Sequence, residues 1–169
     1  MKKIIIVFAV LFAMGGSAMA QWNLGARING SWGLGAEFSA QKLFSERNRL
    51  ELDAGLTGVF IAHEHTLYSS VTGAFHWTFP IVKGLKWFVG PGLHMGIYSH
   101  YYDYADEPNY HRFRLAAVAQ AGIEYNFDIP LQLAFDVRPG IDLLGFGEKA
   151  YTYISPYIYS YAFSIRYRF

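Results

Sequence analysis

The stretch Leu131-Gln-Leu-Ala-Phe-Asp-Val-Arg-Pro-Gly-Ile-Asp-Leu143 alternates without interruption. Leu131, Leu133, Phe135, Val137, Pro139, Ile141 and Leu143 share one parity, and Gln132, Ala134, Asp136, Arg138, Gly140 and Asp142 share the other. Side chains of a β-strand point to opposite faces in turn, so this segment reads as one long strand with a greasy face and a charged one. The end of the chain repeats the pattern. In Tyr157-Ile-Tyr-Ser-Tyr-Ala-Phe-Ser-Ile-Arg-Tyr-Arg-Phe169, Tyr157, Tyr159, Tyr161, Phe163, Ile165, Tyr167 and Phe169 oppose Ser160, Ala162, Ser164, Arg166 and Arg168.

The same period runs back through the chain. Phe113 to Phe127 sets Leu115, Ile123 and Tyr125 against Arg114, Gln120 and Glu124; Leu85 to Tyr98 sets Trp87, Val89, Leu93, Met95 and Ile97 against Lys86 and His94. Leu67 to Phe79 sets Val71, Phe75 and Trp77 against Thr72 and His76, and Leu50 to Phe60 sets Leu52 and Leu56 against Glu51 and Asp53. Shorter, glycine-rich strands are predicted near Trp22 to Asn29 and Leu34 to Gln41. The result is about eight antiparallel strands of membrane-spanning length. Short turns near Leu43 to Asn48, Pro80 to Gly84 and Asp128 to Pro130 alternate with connections at Asn29 to Gly33, His63 to Thr66, Ser99 to His111 and Gly145 to Ala150. If the N-terminus lies on the inner side, the longest loop faces outward.

Residues 1–20 do not belong to this pattern. Lys2 and Lys3, an apolar run from Ile4 to Met14, and Ala18-Met19-Ala20 before Gln21 read as a signal peptide cleaved after Ala20, leaving residues 21–169 as one barrel domain. The 169-residue chain is 53% hydrophobic and only 16% charged, too greasy for an ordinary exported soluble domain. It has no cysteine, which excludes disulfides, thiol nucleophiles and a lipid anchor through cysteine. Taking Lys2 and Lys3 from the 14 basic residues leaves 12 against 13 acidic ones, a balance that points away from a nucleic-acid partner.

Alternation does not say which face points inward. A lumen enclosed by eight strands is only just wide enough for filling side chains, and the aromatic-rich apolar set would overfill it. The polar parity is small, and its cations are mainly arginine, whose planar fork suits enclosed carboxylates. The fold class is therefore all-β, a transmembrane antiparallel up-and-down barrel. Its interior is expected to hold Arg27, Lys86, Arg114, Arg138, Arg166 and Arg168 against Glu37, Glu51, Asp53, Glu124, Asp136 and Asp142, six of each sign. Enclosed charges must pair, so the expected lumen is a plug and not a wide pore. Aromatic girdles are expected at Trp77, Phe79, Trp87, Tyr125, Phe127, Tyr167 and Phe169 on one rim and at Tyr98, Tyr101, Tyr102, Tyr104, Tyr151 and Tyr153 on the other.

The terminal Tyr161-Ala-Phe-Ser-Ile-Arg-Tyr-Arg-Phe169 resembles the assembly signal of bacterial outer-membrane barrels. Tyr125-Asn-Phe-Asp-Ile-Pro-Leu-Gln-Leu133, running on to Asp136-Val-Arg-Pro139, is similar to the penultimate hairpin of small OmpX-like and opacity-like barrels. The resemblance covers the whole of residues 21–169 as architecture and about the last forty residues as motif. It implies a Gram-negative outer-membrane location, outer-membrane lipid around the wall, and insertion by the barrel-assembly machinery reading Phe163, Ile165, Tyr167 and Phe169. It transfers no catalytic residue, cofactor or metal.

Several residues bear on activity. Proline in a closed sheet removes a ladder donor, so Pro91, Pro139 and Pro156 are each expected to mark a bulge or a gap in the wall. His63-Glu64-His65 lacks the third and fourth ligands that zinc wants and reads as a polar loop. His76 and His94 have interior parity, and His100 and His111 stand near Ser99 and Asp103, but spacing assembles no nucleophile, base and orienting group. The tyrosine-rich 99–111 segment is a candidate contact surface for an extracellular ligand. The expected role is a monomeric structural or surface-interaction barrel without a cofactor. The alternatives are a lipid A-modifying acyltransferase or deacylase, and a narrow small-solute conduit.

Overall fold

A computed structural model describes residues 21–30, 33–61, 64–102, 110–147 and 157–169. The residues read as a signal peptide lie outside that range, as do His63 and Pro156. Eight strands follow in order: β1 (Trp22–Gly30), β2 (Leu34–Leu43), β3 (Asn48–Ile61), β4 (Glu64–Val82), β5 (Leu85–Tyr102), β6 (Tyr110–Asn126), β7 (Leu131–Gly147) and β8 (Tyr157–Arg168). Each pairs antiparallel with its sequence neighbour, and β1 pairs with β8 from Asn23↔Arg168 to Gly30↔Tyr161, which closes the barrel and leaves no sheet edge. The up-and-down barrel predicted from alternation is therefore the one observed.

The barrel is inverted relative to a soluble one. Leu52, Leu56, Trp87, Leu93, Ile123, Phe135, Phe163 and Ile165 are exposed on the outside, while Arg27, Glu51, Asp53, Asp136, Arg138 and Arg166 are almost wholly enclosed. Apolar side chains on the outer wall of a closed sheet suit contact with acyl chains, because every backbone group is already paired within the wall. Strands β4 to β7 run well past the segments the alternation marked, since hydrogen bonding continues after the apolar pattern fades. At the other end the turns are tight. Lys83 and Gly84 connect β4 to β5, and Gly84 takes a φ of 80°, a left-handed conformation that glycine adopts without strain.

Two register shifts correct the simple alternation. Leu115 pairs with Leu144 and Ala116 with Asp142, so Leu143 is an extra residue; Leu143 and Leu144 both face outward, at 42% and 48% exposure, and the parity of β7 inverts beyond them. Arg138 pairs with Ser160 and Pro139 with Ile158, which leaves Tyr159 as an extra residue in β8. The alternation put Tyr159 on the outer face with Tyr161. In the structure it turns inward and is 9% exposed, against 51% for Tyr161.

Candidate functional site

The middle of the lumen is a layer of charges drawn from most of the strands. Arg27 on β1 holds Asp136 of β7 through two bonds, at 2.5 and 3.3 Å, and Glu37 of β2 at 2.5 Å. Arg138 on β7 reaches across the lumen to Asp53 and also donates to Gln120 (3.0 Å), Thr72 (3.3 Å), Glu37 (3.4 Å) and Glu51 (3.5 Å). Arg166 on β8 stands 3.1 Å from Glu51 and donates to Ser39 at 2.9 Å. Glu51 further accepts from the amides of Gln41 (2.6 Å) and Gln120 (3.0 Å). Four carboxylates thus meet three guanidiniums, and the Oδ1 atom of Asp53 has no partner among the described residues. Arginine suits this place because its rigid fork serves several acceptors at once.

Toward the short-turn end, Arg49 pairs with Glu124, donates to His76 Nδ1 at 3.3 Å and lies 4.6 Å over the ring of Phe88. Arg49 and Phe88 were not singled out in the sequence, although Arg49 has the parity of Glu51 and Asp53 and Phe88 that of Lys86. Phe88 is the large apolar side chain most fully enclosed in the barrel, at 0% exposure, and it supports the His76 ring at 4.8 Å. Two expected members of the interior network are corrected here. Lys86 faces Glu124 in register but forms no ion pair among the described residues; it lies half-buried at the mouth, where a flexible ammonium keeps its water. Arg168 donates to the carbonyls of Phe127 and Ile129, binding the β6–β7 turn to the end of β8 instead of pairing with a carboxylate.

Toward the other end, Arg114 holds Asp142 at 2.5 Å, and the inward Tyr159 hydroxyl donates to the same carboxylate. Gly140 makes room for that ring, since a Cβ there would lie 2.9 Å from Tyr159 Cδ2. Both nitrogens of His94 are engaged, Nε2 by Tyr68 at 2.6 Å and Nδ1 by Thr72 at 2.8 Å. Tyr98, expected in the outer girdle, stands on the interior side, with ring centroids 6.4 Å from Tyr68 and 6.3 Å from His100. The side chains of Tyr101, Tyr102, Tyr104, Tyr151 and Tyr153 lie outside the described residues.

The architecture can be compared with known proteins. No protein-family model matches the chain, and no curated protein matches it by sequence. Solved structures do match. Neisserial surface protein A superposes with a TM-score of 0.64 at 12% identity, covering 88% of this chain and 94% of that one. The fold is that of the small outer-membrane β-barrels. The N-terminal β-barrel domain of Pseudomonas aeruginosa OprF gives 0.63 at 16% identity over 88% and 96% of the two chains. Ail, the attachment invasion locus protein of Yersinia pestis, gives 0.57 at 11% over 88% and 96%.

On this outer-membrane-type barrel the remaining sequence candidates take definite places. Pro91 and Pro139 both face outward at one height, on either side of Ala119 in β6. Ladder pairing with β4 skips Phe75 and His76, opposite Pro91 and Gly90, and pairing between β6 and β7 skips Ala119 and Gln120, opposite Pro139 and Arg138. The backbones of β4 and β5 stay close there, since a Cβ on Gly90 would stand 1.7 Å from the Phe75 carbonyl oxygen. Phe163, Ile165 and Tyr167 form an outward row on β8, and the Tyr167 ring meets Phe169 edge-on at 4.8 Å. Trp87 stacks on Phe79 at 4.5 Å, and Tyr125 meets Phe127 at 4.7 Å, near the same short-turn rim. His111 Nδ1 lies 2.9 Å from Ser99 Oγ across β5 and β6. Asp103, and most of the tyrosine-rich segment with it, lies outside the described residues.

Proposed function

We propose that the chain is a monomeric outer-membrane barrel, exported by a cleaved signal peptide and inserted through its Phe163 to Phe169 end. Its role is structural or surface-interacting: a stiff wall that presents the 99–111 segment to an extracellular ligand. The observation that carries this reading is the Arg138 side chain, which reaches across the lumen to Asp53 with 1% of its side chain exposed. A charge layer fixed by paired guanidiniums leaves no continuous aqueous file, so the reading disfavours a solute conduit. Planar-bilayer recordings of the refolded protein test it. Absence of steady single-channel conductance is expected, and a stable ohmic pore would refute the plug.

The second reading is a lipid-modifying enzyme, favoured by the Ser99–His111 pair. A serine hydroxyl within hydrogen-bond reach of an imidazole is the arrangement in which a base activates a nucleophile for acyl transfer. Mass analysis of lipid A from cells with and without the protein separates the two. An acyl-chain difference abolished by Ser99→Ala would replace the structural reading.

A further inference from the structure

The short-turn mouth of the barrel opens into a vestibule of about 330 Å³, where the cations of the lining outnumber its carboxylates, the reverse of the middle layer. Four cations line it, of which Lys83 is taken up by Asp128 on the rim. Arg49 is almost wholly buried and commits Nη1 to Glu124, which leaves Nη2 without a partner among the described residues. Arg168 commits Nη2 to the Phe127 and Ile129 carbonyls, which leaves Nε without a partner among the described residues. Lys86 lines the same space and forms no ion pair among the described residues. The acidic residues of the lining are otherwise occupied or remote: Glu124 is held by Arg49, Asp128 pairs with Lys83 at 3.4 Å on the fully exposed rim, and Glu46 is exposed on the β2–β3 turn.

We infer that this vestibule is a binding site for a small oxyanion, a phosphate or a carboxylate. Enclosed guanidinium N–H groups without acceptors are costly, and an oxyanion supplies several acceptor lone pairs to such groups at once. Lys86 adds a mobile ammonium at the entrance that can close on the anion. The site lies within the mouth and not on the outer wall, so the ligand comes from the aqueous compartment and not from a lipid headgroup. The neighbouring amides of Asn126 and Gln132, already bonded to each other at 3.1 Å, form part of the polar lining.

The test uses the full barrel refolded in uncharged micelles and followed by amide nuclear magnetic resonance. Inorganic phosphate, titrated at constant ionic strength against chloride, is expected to shift the amides of Gly84, Lys86 and Asn126 saturably, and acetate is expected to compete. Lys86→Gln should weaken phosphate binding about tenfold or more, the loss of one charge-assisted contact. Lys42→Gln, outside the lining and seated over the Trp22 ring, should leave it within about twofold. Shifts that never saturate, or equal affinity in Lys86→Gln and the parent, would overturn the site. Shifts that appear only when phosphatidylglycerol is added to the micelles would overturn the aqueous ligand in favour of a lipid phosphate.

Discussion

Replacing Arg138 by alanine tests the plug at its most connected point. The side chain serves Asp53, Glu37, Glu51, Gln120 and Thr72, and Asp53 takes its one described hydrogen bond from it. Truncation leaves two guanidiniums for four carboxylates in the middle layer and strands Asp53 entirely. Orphaning one partner of a buried pair costs about 3–5 kcal/mol, and the lost neutral contacts to Gln120 and Thr72 add to it. Removing Asp53 as well, in Arg138→Ala/Asp53→Ala, should restore about 2 kcal/mol or more, because the stranded charge is then gone. The assay is reversible urea unfolding of the barrel in lipid vesicles, read by tryptophan fluorescence and by the shift between folded and unfolded mobility on unheated gels. A loss below about 1 kcal/mol in the single variant, or strict additivity in the double, would mean that water reaches the layer and that the charges are not coupled.

Four further outcomes follow from the same geometry. Asp53→Asn removes the fourth carboxylate from a layer with three guanidiniums and should fall within about 1 kcal/mol of the parent, whereas Asp136→Asn breaks the two-bond contact with Arg27 and should cost about 1.5–3 kcal/mol in the same urea assay. Tyr159→Phe should cost about 1–2 kcal/mol through its lost bond to Asp142, and Tyr161→Phe on the outer wall should be neutral within about 0.5 kcal/mol; equal effects would return Tyr159 to the outer face. Spin labels at Leu143→Cys and Leu144→Cys should both report contact with oxygen in the acyl region, where an unbroken alternation would bury one of them. Leu52→Arg, on the outer wall, should destabilise the barrel by about 2–4 kcal/mol if that side chain faces the bilayer midplane, and a neutral result would show that the wall is not in hydrocarbon at that height.

Most of the architecture was legible because period-two alternation is a local property. Each residue's parity fixes its face for as long as the strand stays regular. The reading failed where regularity failed: Pro139 marks one of the two slips, but which residue of the facing strand turns with it is not a local property, and the slip at Leu143 has no local mark. Tyr159 looks like its neighbours Tyr157 and Tyr161, yet Pro139 across the ladder cannot donate, and the register slips by one residue beside it. Leu144 is likewise carried outward by an extra residue, in a stretch where Leu143 and Leu144 are chemically alike. The interior set was also read by parity alone, which captures direction but not height. Lys86 and Arg168 have the parity of the network and stand at a mouth; Arg49, one residue before the alternation begins at Leu50, has it too.

Height along the axis is what divides the interior into parts with different chemistry. In the middle, Arg27, Arg138 and Arg166 are each fixed by several acceptors, and nothing is left over but one oxygen of Asp53. At the end with the longer loops, Asp142 is shared between Arg114 and Tyr159, and His94 is engaged on both nitrogens. The short-turn mouth combines open volume with guanidinium donors that lack acceptors among the described residues. The proposed plug needs only the middle layer to stop flow, so the mouths are free to vary without loosening the wall. A cation-rich mouth beside a middle layer whose guanidiniums are all engaged is therefore where binding chemistry can be carried at the least cost to the fold.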